Sequence, residues 1–270
     1  MFNSRVKDHI HRINRLVHLS DDRHVSNTSL VHLGAMRYLQ SVSVQQLMQN
    51  DFLVVDVIIQ PTALRQLSEV LLGSTVWFDV TNGASFVSHY DEGLVFDSIS
   101  SVVKQISYAL SPNPSQPVRV SSYYAVAMSL SASSTASHVS MANEDEIMVV
   151  LWLNPLTSSG DGSAKENDGL RIYDDVATAT LFSQGVSIYP SAHVDFLSRT
   201  GNLAIDLESR CGIEHSEYVV RKTNRMVILR GRRPVAFLTP GPAPAGGGEE
   251  QSFSQSSMIA LVVKLLIVDE

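Results

Sequence analysis

The sequence predicts an α+β protein, with helices in its first part and mostly β-strands in the rest. Between residues 6 and 110, apolar residues recur three or four positions apart, which is the spacing of amphipathic helices. After residue 120, short apolar runs alternate with turns rich in Ser, Gly and Pro, which is typical of a sandwich or barrel. The 44% hydrophobic and 17% charged residues indicate a folded protein, and 270 residues can form one large core.

Charge and cysteine content argue against several classes of protein. The net charge of −7 gives the chain no overall attraction to nucleic acid or to an anionic membrane. The single cysteine, Cys211, cannot form an internal disulfide, which favours a reducing compartment, and a lone thiol is more often buried than nucleophilic. No stretch reaches the roughly 20 apolar residues of a membrane span. We therefore expect an intracellular protein of the cytoplasm or the mitochondrial matrix.

Residues 1–50 are predicted to form a helical N-terminal region. Residues 6–17 present one apolar helical face, and a second helix is expected to begin at Asn27 or Thr28 as N-cap and to continue through Leu39. Five of the nine histidines fall in this region: His9, His11, His18, His24 and His32. A zinc site needs ligands that converge in space, and no cysteine accompanies these histidines, so we interpret them as helix-surface residues.

A compact unit of strands and helices follows. Strands are predicted over Leu53–Ile59 and Ser74–Val80, with a helix between them that begins at Pro61 and continues through Leu71. Proline is favoured at the first helical position because its missing N–H would have no intrahelical partner there. A further amphipathic helix is predicted over Phe96–Leu110.

The remaining strands are short and bounded by turn-forming residues. They are predicted over Tyr123–Leu130, Ile147–Leu153, Gly169–Tyr173, Glu217–Val220, Arg225–Leu229, Ala236–Leu238 and Met258–Val268. Two connections, Ser158–Asp168 and Pro240–Ser252, are poor in apolar residues and are predicted to be surface loops.

Four segments, taken in order, resemble a known family. The run DFLVVDVIIQPTALRQLSEVLLGSTVWFDV resembles the strand and Pro-initiated helix that open prolyl-hydroxylase-type oxygenases, which depend on 2-oxoglutarate and iron(II). IMVVLWLNP, NDGLRIYDD and YVVRKTNRMVIL then resemble consecutive strands of that family's double-stranded β-helix. The resemblance implies a jelly-roll-like double-stranded β-helix domain over residues 51–270, with flanking helices and the helical region 1–50 before it.

The resemblance also implies where metal ligands would lie. The family holds iron(II) with two histidines and one carboxylate, and the first two ligands form a His-X-Asp pair whose side chains share one face of a strand. At the matching place this chain has His138, but Ser140 stands at the carboxylate position. The position of the second histidine falls on Val235. The resemblance therefore implies that two of the three iron ligands are replaced.

The group that would bind the far carboxylate of 2-oxoglutarate is also missing from its expected place. The resemblance implies an Arg or Lys near the start of the final strand, where the sequence has Ser256 and Ser257. Lys264 is the one candidate in that strand, and it comes too late along it.

Two other groupings could hold a metal. His193-Val194-Asp195 is a literal His-X-Asp sequence, but it falls in a segment that is helical in the family. Its nearest following histidine, His215, is too close to come from the opposite side of a barrel. A carboxylate from residues 144–146 could replace the missing one if the loop after His138 folded back, although one histidine and one carboxylate would bind iron weakly.

Basic residues are concentrated in one predicted β-hairpin. They are Arg221, Lys222, Arg225, Arg230, Arg232 and Arg233, in a chain with only 20 Lys and Arg in total. One interpretation is a solvated hairpin whose charges prevent edge-to-edge pairing. The other is a docking site for phosphates or for an acidic protein partner.

The oxygenase-like strand order and the replaced ligands together predict a catalytically inactive protein. We expect no catalytic residue, no metal and no cofactor, with His138 as a vestige of the ligand set. The expected role is that of a structural or accessory subunit that binds other proteins of a larger assembly, with a ribonucleoprotein as a special case. The alternative is an active or atypical hydroxylase that uses iron(II) and 2-oxoglutarate.

Overall fold

The computed structural model describes residues 29–42, 52–73, 77, 79–81, 85–90, 94, 96–111, 118–129, 136–153, 169–174, 216–231, 233–238 and 257–266. Its helices are α1 (Leu33–Ser41), α2 (Pro61–Gly73) and α3 (Asp97–Ala109). Its strands are β1 (Phe52–Asp56), β2 (Asp79–Thr81), β3 (Ser85–His89), β4 (Arg119–Ser129), β5 (Ala136–Ser140), β6 (Glu146–Trp152), β7 (Gly169–Tyr173), β8 (Ser216–Val220), β9 (Arg225–Arg230), β10 (Val235–Leu238) and β11 (Ser257–Leu266). Within these ranges, no helix is long and apolar enough to cross a membrane.

The strands form two antiparallel sheets. The order in the seven-stranded sheet is β1-β9-β6-β11-β4-β3-β2, and the order in the four-stranded sheet is β5-β10-β7-β8. From β4 onward the chain passes from one sheet to the other at every step except between β7 and β8. This alternation winds the chain around a shared interior, which is the arrangement of a double-stranded β-helix. The fold expected from the resemblance is confirmed.

Two apolar cores lie on the two faces of the large sheet. Alternate residues of β11 enter different cores: Ile259, Leu261, Val263 and Leu265 face the helices, and Met258, Ala260 and Val262 face the space between the sheets. Because both faces of this strand are covered, it appears in the sequence as a continuous apolar run rather than as an alternation. The strand predicted over Met258–Val268 is thereby confirmed, with its described end at Leu266.

The helices pack on one face of the large sheet. Helix α2 begins at Pro61 as predicted, and its apolar side joins the first core through residues such as Leu67 and Leu71. Helix α3 contributes Ile99 and Ile106 to the same core. In the part of the chain that the structure describes, the other face of the sheet lines the barrel interior and packs against the small sheet.

The helix predicted from Asn27 or Thr28 begins later, at Leu33. The backbone before it is used for pairing instead: Val31 forms a β-bridge with Ile59, and His32 N–H donates to the Ile58 carbonyl at 2.7 Å. His32 then caps the helix, because its Nδ1 accepts the Gly34 N–H at 3.2 Å. The helix predicted over residues 6–17 lies outside the described residues.

Two further predictions about strands are corrected. The strand predicted over Ser74–Val80 is described only as β2, Asp79–Thr81. The prediction of a basic β-hairpin is wrong, because β8 and β9 do not pair with each other. Strand β8 pairs with β7 in the small sheet, whereas β9 lies between β1 and β6 in the large one. The connection between them is a crossing between the two sheets.

Candidate functional site

The positions that the resemblance assigns to the metal ligands come together inside the barrel. His138 and Ser140 lie two residues apart on β5, and Val235 opens the neighbouring strand β10. The register pairs Val235 with Ser140 and Phe237 with His138. All three side chains are buried, His138 to 5% exposure and the other two completely. The three assigned positions therefore lie side by side, and their identity as former ligand positions stays a prediction.

A tyrosine that sequence reasoning missed lies at the centre of this place. The hydroxyl of Tyr124, on β4, donates a hydrogen bond of 2.5 Å to Ser140 Oγ. The same hydroxyl lies 3.5 Å from His138 Nε2. The imidazole also contacts the ring of Phe237, with 5.5 Å between the ring centres. Tyr124 shares the inward face of β4 with Val126 and Met128, and this alternation was the available sequence signal.

Lys264 also belongs to this cluster. It lies on β11 opposite Met148 of β6, and its side chain is 3% exposed. Its ammonium lies 5.9 Å from the centre of the Tyr124 ring, within reach of a cation–π interaction. Ser257 pairs with Ser129 at the opposite end of the strand, roughly 23 Å away at ~3.3 Å per residue. Lys264 is thus placed against the ring of Tyr124, although it comes late in the strand; Ser256 lies outside the described residues.

The cluster does not fit an iron(II) ion. Such an ion needs two imidazoles and a carboxylate on one side, with open positions opposite. At the three assigned positions one imidazole, that of His138, is present, the Ser140 hydroxyl is hydrogen-bonded to Tyr124, and Val235 offers only methyl groups. The ring of His89 also contacts Tyr124, with 5.2 Å between ring centres. In the part of the chain that the structure describes, no three His, Cys, Asp or Glu side chains are grouped closely enough to hold a metal.

The carboxylates after His138 are directed elsewhere. Glu146 Oε2 accepts the Asn143 N–H at 2.8 Å and so closes the turn that leads into β6. Glu144 and Asp145 are exposed in that turn. None of the three joins His138 in a metal-binding group. The other grouping, His193 with Asp195 and His215, lies outside the described residues.

Apolar side chains fill the barrel around the cluster. The inward core consists of Val87, Tyr124, Val126, Met128, Ala142, Met148, Val150, Trp152, Leu170, Ile172, Val219, Val227, Leu229, Val235, Phe237, Met258, Ala260 and Val262. Trp152 and Phe237 are fully buried and meet edge to face, with 5.6 Å between ring centres. Val235 is thus a packing residue of this core.

The predicted basic residues are divided between two ends of β9. At one end, Arg225 donates to both carboxylate oxygens of Asp56, at 2.7 and 3.1 Å, and Lys222 donates to the same group at 2.8 Å. The hydrogen bond from Arg225 is the main reason why the pKa of Asp56 is lowered from 3.8 to about 2. Arg221 adjoins this group, and Arg230 is exposed at the other end.

Arg233 is a buried residue rather than a surface charge. It is 8% exposed, its Nε donates to the Tyr173 carbonyl at 3.1 Å, and its Nη2 lies 3.9 Å from Glu217 Oε1. Reversing its charge would therefore disturb packing as well as any partner. Arg232 lies outside the described residues.

Solved structures resemble this chain, although no family model and no curated protein sequence matches it. The non-heme α-ketoglutarate-dependent carbocyclase SnoK from nogalamycin biosynthesis is 12% identical, with a TM-score of 0.50 over 88% of this chain and 85% of that one. HygX from Streptomyces hygroscopicus, with nickel and 2-oxoglutarate bound, is 9% identical, with a TM-score of 0.48 over 84% and 86%. A Pseudomonas putida prolyl-4-hydroxylase is 12% identical, with a TM-score of 0.45 over 89% and 95%.

Identity at this level shows a common fold and carries no activity with it. The sheet order described above and the likeness to SnoK agree on that fold. The chain has the double-stranded β-helix fold of the 2-oxoglutarate- and iron(II)-dependent oxygenases.

Proposed function

We propose that this chain is a catalytically inactive protein with an oxygenase fold, which serves as an accessory subunit of a larger intracellular assembly. The observation that carries the proposal is the bond between Tyr124 and Ser140 beside Val235. Serine and valine stand where the fold's enzymes would need a carboxylate and an imidazole, and the serine is already engaged.

Energetics support the same conclusion. A metal in this place would require Ser140 to leave Tyr124, and an ion beside Val235 and Phe237 would lose its hydration and gain only the His138 imidazole at the three assigned positions. Tyr124 and Ser140 instead bond to each other, and His138, Val235 and Phe237 are buried beside them, with exposures of 5% or less. A barrel of this kind supplies stability rather than chemistry.

A protein without chemistry in its barrel acts through its surface. Lys222 and Arg230 are exposed and Arg221 is half-buried, on a chain with a net charge of −7, which gives the surface a local contrast in charge. Such contrast favours binding to other subunits of a complex, and a ribonucleoprotein is one assembly that would suit it.

Turnover of 2-oxoglutarate tests the proposed inactivity. Full-length protein would be incubated in air with iron(II), ascorbate and 2-oxoglutarate, and succinate would be measured. We expect no succinate above that formed without protein. Succinate that increases with protein concentration and disappears in His138→Ala would overturn the proposal in favour of an active oxygenase.

The size of the native protein tests the accessory role. In gently lysed cells we expect the chain to elute as a hetero-complex well above its own 29.6 kDa. Elution as a free monomer at low salt would contradict a subunit role, whatever the outcome of the turnover assay.

A further inference from the structure

One corner of the barrel combines exposed apolar side chains with cations. Strand β1 is outermost in the large sheet and β8 is outermost in the small sheet. Arg225 joins their ends, because its guanidinium bonds to Asp56 at the end of β1 and donates at 2.8 Å to the Val220 carbonyl at the end of β8. We call this region the β1–β8 corner, and its surface residues are Val57, Tyr218, Val220, Arg221 and Lys222.

The apolar members of the corner are unusually exposed. Val57 is 52% exposed, Tyr218 39% and Val220 38%. Tyr218 and Val220 share the outward face of β8, whereas Val219 between them enters the barrel core. Valines exposed to this extent add little to the free energy of folding, because much of their apolar surface stays in water. A partner that covers them would remove that surface from water.

Backbone strain at the corner is a second, independent observation. Val57 has a φ of 59°, a conformation that is a genuine outlier for a β-branched residue. Its N–H is held by the Asn224 carbonyl at 2.8 Å, while its side chain points into solvent. Strain of this kind is tolerated where the surroundings impose it, and it concentrates at binding sites.

The charges of the corner are predominantly positive. Lys222 and Arg225 both form ion pairs with one carboxylate, Asp56, and Arg221 precedes Lys222 in the chain. The side chain of Lys222 is 57% exposed. Glu217 lies on the opposite face of β8, where it approaches Arg233. The positive charges favour an acidic partner. The exposed valines favour a protein over a nucleic acid, because a phosphate backbone would leave the valines uncovered.

We propose that the β1–β8 corner docks an acidic segment of a partner protein, with an apolar side chain of that segment covering Val57 and Val220. The inference rests on the proposed accessory role and names the surface and the partner chemistry. It is tested separately from inactivity, because none of these residues contacts the cluster around His138.

Site-specific photocrosslinking tests this docking surface. The full-length chain would carry a photoreactive phenylalanine derivative at position 220 and would be irradiated in the cells that naturally produce it. The matched control carries the same group at Tyr108, which is 48% exposed on α3. We expect position 220 alone to crosslink one dominant protein, at a peptide that contains several Asp or Glu residues.

Variants of the corner make the test quantitative. Arg221→Glu combined with Lys222→Glu should lower the crosslink yield by at least about tenfold, and Arg230→Glu at the far end of β9 should change it less than about twofold. Val57→Thr keeps the branched shape and should lower the yield by roughly threefold without changing the melting temperature. The proposal is overturned by equal crosslinking at Tyr108, by no crosslink at all, or by a crosslinked nucleic acid, basic peptide or second copy of this chain.

Discussion

At the scale of single residues, Asn224 connects three strands of the barrel through its hydrogen bonds. Its φ of 61° is left-handed, its N–H donates to the Trp152 carbonyl at 3.0 Å, and its carboxamide makes two 2.6 Å hydrogen bonds with the backbone of Ile59. It thereby fastens the segment after β1 to the ends of β6 and β9. Asn224 lies in the run YVVRKTNRMVIL, which resembles a strand of the oxygenase family, and its role here is architectural.

Substitution of Asn224 should separate the effects of hydrogen bonding and backbone conformation. Asn224→Ala leaves two buried groups of Ile59 unpaired and keeps an unfavourable φ, so we expect a loss of about 2–4 kcal/mol in the free energy of unfolding. Asn224→Gly loses the same bonds but accepts the φ, and should be about 1 kcal/mol more stable than the alanine variant. Urea unfolding measures both, and equal stability of the two variants would show that the conformation is unstrained.

Asp56 should make the stability depend on pH at the acidic end. Its pKa is 3.8 ordinarily and about 2 in the folded protein, mainly because Arg225 donates a hydrogen bond to it. Since the folded pKa is the lower one, the stabilisation is complete above pH 3.8 and is lost as the pH falls from 3.8 towards 2. The stability difference between wild type and Asp56→Asn should shrink over that window.

Chemical unfolding at a series of pH values measures this difference. Asp145→Asn, which changes an exposed carboxylate in the turn before β6, is the matched control and should show no such window. A wild-type advantage over Asp56→Asn that stayed constant down to pH 2 would contradict the role assigned to the carboxylate.

At the scale of elements, the local sequence pattern predicted where the strands lie better than it predicted which strands pair with each other. Strand β6 was predicted from Ile147 and observed from Glu146, because a continuous apolar run is unambiguous when both faces are buried. The pairing of β8 with β9 was wrong because a short polar connection is equally compatible with a hairpin and with a crossing between sheets. Only long-range registers, such as that between β9 and β1, decide between them.

Gly231 shows how closely two of these elements approach. A Cβ at this residue would lie 1.6 Å from the Asn143 carbonyl oxygen and 2.8 Å from that of Glu146. Gly231→Ala should therefore push the end of β9 away from the turn before β6, at a cost on the order of 3 kcal/mol.

Gly34→Ala is the control for this prediction. Its new Cβ would meet only the His32 ring, at 3.2 and 3.3 Å, and alanine favours the helix, so stability should change by less than about 1 kcal/mol. Comparable destabilisation by both substitutions, measured by urea unfolding, would count against the close approach at Gly231.

At the scale of the whole molecule, the fold could be predicted from the sequence, but the side chains that surround His138 could not. Strand order placed His138, Ser140 and Val235 together, because ligand positions in a barrel follow from the sequence of strands. The contributions of Tyr124 and Lys264 depend on registers between strands far apart in the chain, which no local pattern encodes.

The central claim, that this barrel has lost its metal, is tested most directly by counting iron. Purified full-length protein would be incubated anaerobically with excess iron(II) and 2-oxoglutarate, freed of unbound metal and analysed for its elements. Ser140→Asp combined with Val235→His, which restores the two replaced ligand positions, is the informative comparison and should bind more iron than wild type if it folds. We expect the wild-type chain to retain far less than one iron per molecule, and retention of about one iron per wild-type chain would contradict the account.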